Sequence, residues 1–354
     1  MTETIDIKVT RIKESKLPGV DFDNIPFGRI YTDHMFMADY IDGKWQNFEI
    51  LPYGPLELDP ATTTLHYAQS IFEGLKAYKS ESGETLVFRP FANFERLNKS
   101  AERMCIPEVP KELYEQGMKA LLEIDNDWIP EEVGKSLYIR PFVFGTDDFI
   151  GIRPSDNYKF MIITCPVGSY YAEPVSVKIE THYTRAAKGG VGYAKTAGNY
   201  AASLYPAKLA AQEGYQQLIW TDGQDHKYIE ESGTMNIMFR IDDTLITPHT
   251  GDSVLPGITR DSVLKLARDW GYKVEERKIS VDEVVKAAQE GRIQEAFGTG
   301  TAATIAHIKK IGYEGADYEL PPIKEREWSN KFLKELDMIK YGQAEDKFGW
   351  NYKL

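Results

Sequence analysis

The sequence predicts an α+β fold in two domains. Three observations carry this: short aromatic and β-branched runs that read as strands, charged amphipathic stretches that read as helices, and one segment near the middle rich in Pro, Gly and Ser. With 354 residues the chain is too long for one ordinary domain. Hydrophobic residues make up 42% and charged residues 27%, so a sizeable core can form.

Taken in order, residues 84–89 (ETLVFR) form a strand. Residues 92–103 are a helix that ends before Pro107, and 113–124 are a second helix. Residues 137–144 (LYIRPFVF) and 159–165 (KFMIITC) have the composition of strands. The segment PVGSYYAEPVS, 166–176, is the connection. This places a smaller N-terminal α/β domain at 1–165, an interdomain loop at 166–177 and a larger C-terminal domain at 178–354. In the second half, the Ala-rich stretch 197–212 is helical, with Pro206 kinking it or delaying its start. Residues 217–221, 228–229 and 235–240 are strands of a hairpin-rich sheet. A helix over 259–270 is entered through Pro256-Gly257, strands at 295–298 and 302–308 flank a glycine turn, and 326–341 is a closing helix.

A formal net charge of -12 argues against nucleic acid and anionic membranes as partners. No apolar run is long enough to span a bilayer, and the first residues lack the apolar stretch of a secretory signal, so a cytoplasmic location is the default expectation. Two cysteines, Cys105 and Cys165, form no CxxC, and the six histidines show no HxH or HxxxH spacing. No metal site is expected.

Five segments carry chemistry. In KGGVGYAKTAGNYAAS, 188–203, a lysine stands among glycines before a helix. A partly desolvated lysine can lose its proton and attack an aldehyde, although alone the segment reads equally as a Gly-rich turn with a solvated lysine. In YIEESGTMNIMF, 228–239, a carboxylate aimed inward can hold a ring nitrogen protonated. Strand alternation turns one acid of the Glu230–Glu231 pair outward, so one exposed acid is expected. LPGITRDSV, 255–263, offers the unpaired amides of a helix start to a phosphate, or is a simple helix entry. FGTGTAATIAHI, 297–308, offers turn amides to an anion. FRPFANFERLNKSAERM, 88–104, supplies Arg96, whose fork suits a phosphate. Jointly these are the parts of a pyridoxal-phosphate site.

In order and spacing the segments, together with FGRIYTDHM, HYAQSIFEGLKAY, SLYIRPF and PVGSYY, resemble the fold-type IV aminotransferases, specifically the branched-chain-amino-acid aminotransferases. The resemblance runs from about Phe27 to Tyr341. It implies the two-domain fold of the D-amino-acid-aminotransferase type, pyridoxal 5'-phosphate as cofactor and a homodimer with shared active sites. It implies ping-pong transamination between leucine, isoleucine or valine and 2-oxoglutarate. The family's cofactor-holding lysine falls on Lys195, its tyrosine at the phenolic oxygen on Tyr200 and its ring-nitrogen acid on Glu231, with Glu230 a structural neighbour. Phosphate contacts fall on Arg96, Ile258, Thr259 and Thr301, with Arg185 near the phosphate. Carboxylate contacts fall on Thr234, Thr301 and Ala302. Phe27, Phe72, Tyr138 and Tyr170 would form the apolar pocket, Tyr67 and Ile152 would reach in from the partner subunit, and Arg140 would meet the distal carboxylate of glutamate. Some members carry a redox-active CxxC after GTGTA; the corresponding Ala303 and Ala306 imply no such thiol control. The alternative within the fold is a D-amino-acid aminotransferase or an aminodeoxychorismate lyase. A non-catalytic relative would be expected to have lost Lys195 or Glu231.

Overall fold

The computed structural model describes residues 4–168 and 173–354. The chain divides into two units. The first holds residues up to Tyr170, the short segment Ala194–Ala197 and the terminal segment Asp337–Leu354. The second holds Tyr171–Tyr193 and Gly198–Leu336.

In the first unit a nine-stranded sheet is built from β1 (Lys8–Val9), β2 (His34–Ile41), β3 (Lys44–Pro52), β4 (Ser70–Phe72), β5 (Leu75–Lys79), β6 (Thr85–Phe88), β7 (Ser136–Gly145), β8 (Tyr158–Val167) and β18 (Asn351–Lys353). Its order is β1-β3-β2-β8-β7-β5-β6-β18, with β4 also on β7, and every pair but β1–β3 is antiparallel. A short α1 (Thr63–Tyr67) precedes β4, and α2 (Pro90–Arg103) and α3 (Lys111–Ile124) cover one face of the sheet. The alternation of LYIRPFVF explains which face: Leu137, Ile139 and Val143 enter the core with Leu97, Leu113, Met118 and Leu121. Burying each such side chain contributes about 1.5–3 kcal/mol. Tyr138, Arg140 and Phe142, the intervening residues, are thereby turned to the opposite face.

The second unit contains β9 (Val175–Ile179), β10 (Gln217–Thr221), β11 (Ile229–Ser232), β12 (Met235–Ile241), β13 (Thr244–Thr247), β14 (Lys273–Glu276), β15 (Ile293–Gly300), β16 (Thr304–Tyr313) and β17 (Ala316–Glu319). The path β11-β10-β9-β16-β15-β12 returns to its start because β11 also pairs with β12. Ile219, Ile237, Phe239, Ile293 and Ile308 pack as its core, with Val284 and Ala287 of α7 (Val281–Gln289). Ser280 caps α7 by accepting from the Glu283 N–H at 3.0 Å. The Ala-rich stretch forms two helices, α4 (Ala197–Ala201) and α5 (Leu204–Gln212). Pro206 sits in the first turn of α5, where its missing N–H costs nothing. α6 (Ile258–Asp269) and α8 (Trp328–Lys340) complete the unit, the last turn of α8 belonging to the first.

The expected domain bounds differ at two places. Asp337–Leu354, expected in a C-terminal domain, joins the first unit because β18 extends its sheet beside β6 and Trp350 is buried against Phe88. The segment carrying Lys195 joins it too, through hydrogen bonds to β4.

Candidate active site

Lys195 is held by its backbone. Its N–H donates to Ser100 Oγ at 2.9 Å, and its carbonyl accepts from the Phe72 N–H at 3.0 Å. The next residue, Thr196, bridges to Ile71, and its hydroxyl donates to the Ser70 carbonyl at 2.7 Å. An extended segment pinned on β4 aims a long side chain more narrowly than a free glycine turn would. Lys195 Nζ stands 4.6 Å from the centre of the Phe72 ring.

Phe72 pairs with Phe142 on β7, two residues from Arg140. The Arg140 guanidinium lies 4.4 Å from the Phe72 ring centre, and its Nη2 donates to Tyr138 Oη at 2.9 Å. Phe27 meets Tyr138 edge-on at 5.3 Å. One sheet face of the first unit thus brings together Lys195, Phe72, Tyr138, Arg140 and Phe27. Gly74 lies under this wall, where an added Cβ would stand 2.1 Å from Tyr138 Oη.

Arg96 is buried in α2, and two of its donors are committed to Glu73: Nε to Oε1 and Nη2 to Oε2, each at 2.8 Å. Glu73 is fully buried. Removing one member of such a pair strands the other, a loss of about 3–5 kcal/mol. Sequence reasoning missed Glu73, although it stands in the quoted FEGLKAY. Tyr67 is 39% and Ile152 94% exposed. Tyr170 lies outside the described residues.

In the second unit the centre is Glu231. Trp220, Glu231, Asn236 and Thr299 form one row across β10, β11, β12 and β15. Glu231 Oε1 accepts from the Leu255 N–H at 2.8 Å and from Asn236 Nδ2 at 3.3 Å. Its Oε2 lies 3.1 Å from Arg185 Nε, close enough for an ion pair though not aligned as a hydrogen bond. Arg185 thus lies against Glu231, and its Nη2 donates to the Ser253 carbonyl. The expectation of one exposed acid does not hold, since Glu230 and Glu231 are both buried. β11 pairs Trp220 with Glu231 but Thr221 with Ile229, so Glu230 is an extra residue that breaks the alternation.

Asn236 was not singled out, although it stands in the quoted YIEESGTMNIMF. Its Nδ2 also donates to the Leu255 carbonyl at 2.8 Å, and a Cβ on Gly257 would stand 1.9 Å from its Oδ1. Gly257 is the N-cap of α6, and no side chain caps that helix. Ile258 and buried Thr259 form its first turn. Thr301 and Ala302 are half-buried in the β15–β16 turn, Thr234 is exposed, and Tyr200 is half-buried in α4. The buried Thr299 hydroxyl has no hydrogen-bond partner.

Each unit, taken by itself, carries groups suited to pyridoxal phosphate. A helix start without a side-chain cap suits a phosphate, a buried carboxylate suits a ring N–H, and a pinned lysine suits an aldehyde carbon. Among the described residues no group of His, Cys, Asp or Glu could hold a metal ion, and no helix is long and apolar enough to cross a membrane.

Comparison with known proteins agrees with this chemistry. The model of the family Amino-transferase class IV matches residues 70–311. Branched-chain-amino-acid aminotransferase 2 of Bacillus subtilis (strain 168) is 46% identical over 99% of this chain and 97% of its own. A probable branched-chain-amino-acid aminotransferase of Staphylococcus epidermidis is 44% identical over 97% of both. The crystal structure of the Escherichia coli branched-chain amino acid aminotransferase is 27% identical, with a TM-score of 0.72 over 90% of this chain and 98% of that one. The structure of the Thermoproteus uzoniensis enzyme with norvaline is 25% identical, with a TM-score of 0.73 over 90% and 99%. This chain belongs to the class IV aminotransferase family, among the branched-chain-amino-acid aminotransferases.

Proposed function

We propose that the protein transfers amino groups between leucine, isoleucine or valine and 2-oxoglutarate, with pyridoxal phosphate as its cofactor. The placement of Lys195 beside Phe72 and Arg140 carries this reading: a pinned amine, an apolar wall and one cation share a sheet face. Bound pyridoxal phosphate supplies the electron sink for the pair left when the substrate Cα gives up its proton. Lys195 Nζ takes that proton as general base and returns one as general acid. Glu231, with Tyr200 at the phenolic oxygen, keeps a proton on the ring nitrogen. Arg96, Ile258, Thr259 and Thr301 hold the phosphate. Thr234, Thr301 and Ala302 orient the substrate carboxylate.

Phe27, Phe72, Tyr138 and Tyr170 exclude water around an aliphatic side chain, and Arg140 takes the distal carboxylate when glutamate enters. We read the protein as a homodimer in which Tyr67 and Ile152 serve the partner's site. The exposure of Leu65, Ile150 and Ile152 supports that reading, because large apolar side chains gathered at a surface favour a covering partner. Borohydride reduction of the purified, cofactor-loaded protein followed by peptide mass spectrometry tests the assignment. The expected result is one reduced cofactor adduct on Lys195, and an adduct on any other lysine refutes it.

A further inference from the structure

Glu230 has no part in the scheme above, yet it is nine-tenths buried. As the extra residue of the β11 bulge, it reaches the same segment as Glu231. The Ser253 hydroxyl donates to Glu230 Oε1, while the Leu255 N–H donates to Glu231 at 2.8 Å. Glu230 Oε2 is buried without a hydrogen-bond partner. Arg185 serves both acids: Nε is 3.1 Å from Glu231, Nη2 holds the Ser253 carbonyl, and the guanidinium charge acts on Glu230.

An arginine beside Glu231 alone would favour its bare carboxylate and weaken its hold on a shared proton. The negative charge of Glu230, which Ser253 links to the same arginine, offsets that pull. We propose that Glu230 is a positioning residue for the transamination, which through Arg185 and Ser253 sets how firmly Glu231 keeps a proton on the cofactor's ring nitrogen. This rests on the transaminase reading. Burial pushes the Glu230 carboxyl above its usual range, the Ser253 hydrogen bond and Arg185 oppose that rise, and Asp222 adds to it.

Glu230→Gln keeps the shape and the acceptor for Ser253 but removes the charge. Cofactor-loaded wild type and variant are compared by pH titration of the visible absorbance, by kcat and KM for leucine, and by melting temperature. The absorbance midpoint should fall by about 0.5–1 pH unit, and kcat about tenfold with KM within about threefold. Glu230→Asp, which restores the charge, should recover most of kcat. Should the glutamine variant not fold, Ser253→Ala gives the same comparison with the same direction, because it removes the hydrogen bond that favours the charged form of Glu230. A variant with wild-type midpoint and kcat overturns the proposal, as does one whose only change is a lower melting temperature. Those outcomes leave the transaminase reading intact, whereas a wild-type protein that takes up no cofactor overturns both.

Discussion

A pocket that accepts leucine leaves the distal carboxylate of glutamate without a partner, and burying it so is costly. Arg140 faces that problem on the Lys195 side of the sheet, its guanidinium spread over Phe72 and bonded to Tyr138. Its buried Nε has no hydrogen-bond partner. A charged hydrogen bond to an incoming carboxylate is worth roughly 1.5–3 kcal/mol. Arg140→Met keeps much of the stem and removes the charge. The leucine half-reaction should survive largely intact, while the glutamate half-reaction loses on the order of tenfold to a hundredfold in kcat/KM. Single-turnover rates with the two donors check this, and equal losses would remove Arg140 from substrate recognition. Arg140 was named only through the family resemblance of SLYIRPF, not from the strand pattern itself. Glu73 was not named, because a buried ion-pair partner has no signature beyond a glutamate in an apolar run. Glu230 was misjudged because a bulge is invisible to an argument from alternation.

Among the elements, α6 shows how a backbone contact becomes a chemical requirement. Gly257 caps it against Asn236, which in turn holds Glu231 and the Leu255 carbonyl. Gly257→Ala drives a methyl into Asn236 Oδ1, so either the helix start or the amide must move. The affinity for pyridoxal phosphate, measured by titrating the apoprotein, should weaken about tenfold if the α6 start and Glu231 hold the cofactor as proposed, since both shift together. Unchanged affinity would separate the α6 start from the cofactor. The helices α2, α3 and α6 were readable from their apolar spacing and from Pro and Gly at their entries. The strands β4 and β5 were harder. All of Leu75–Lys79 is buried, so the inside–outside contrast that marks a strand is absent over β5, and β6, buried throughout as well, was read from the β-branched and aromatic residues of ETLVFR instead. The split between α4 and α5 follows from Pro206, which fits only a first turn.

At the scale of the molecule, a linear boundary near residue 166 has no room for the two returns of the chain to the first unit. Neither return has a local signal. Lys195 is tied to β4 by hydrogen bonds from residues more than a hundred positions away, and β18 finds β6 across most of the chain. The set of chemical parts was nevertheless readable, because lysine, acid, helix start and arginine each sit in a short segment with its own turn or cap. The central claim is that these parts make a branched-chain transaminase. Its most direct measurement is glutamate formation from 2-oxoglutarate with L-leucine, L-isoleucine, L-valine, L-alanine and D-alanine as donors, using the cofactor-loaded protein and its Lys195→Ala variant. The expected result is turnover with the three branched-chain donors, at least about a hundredfold above either alanine in kcat/KM, and none by the variant. Preference for D-alanine, or undiminished turnover by Lys195→Ala, would contradict the account.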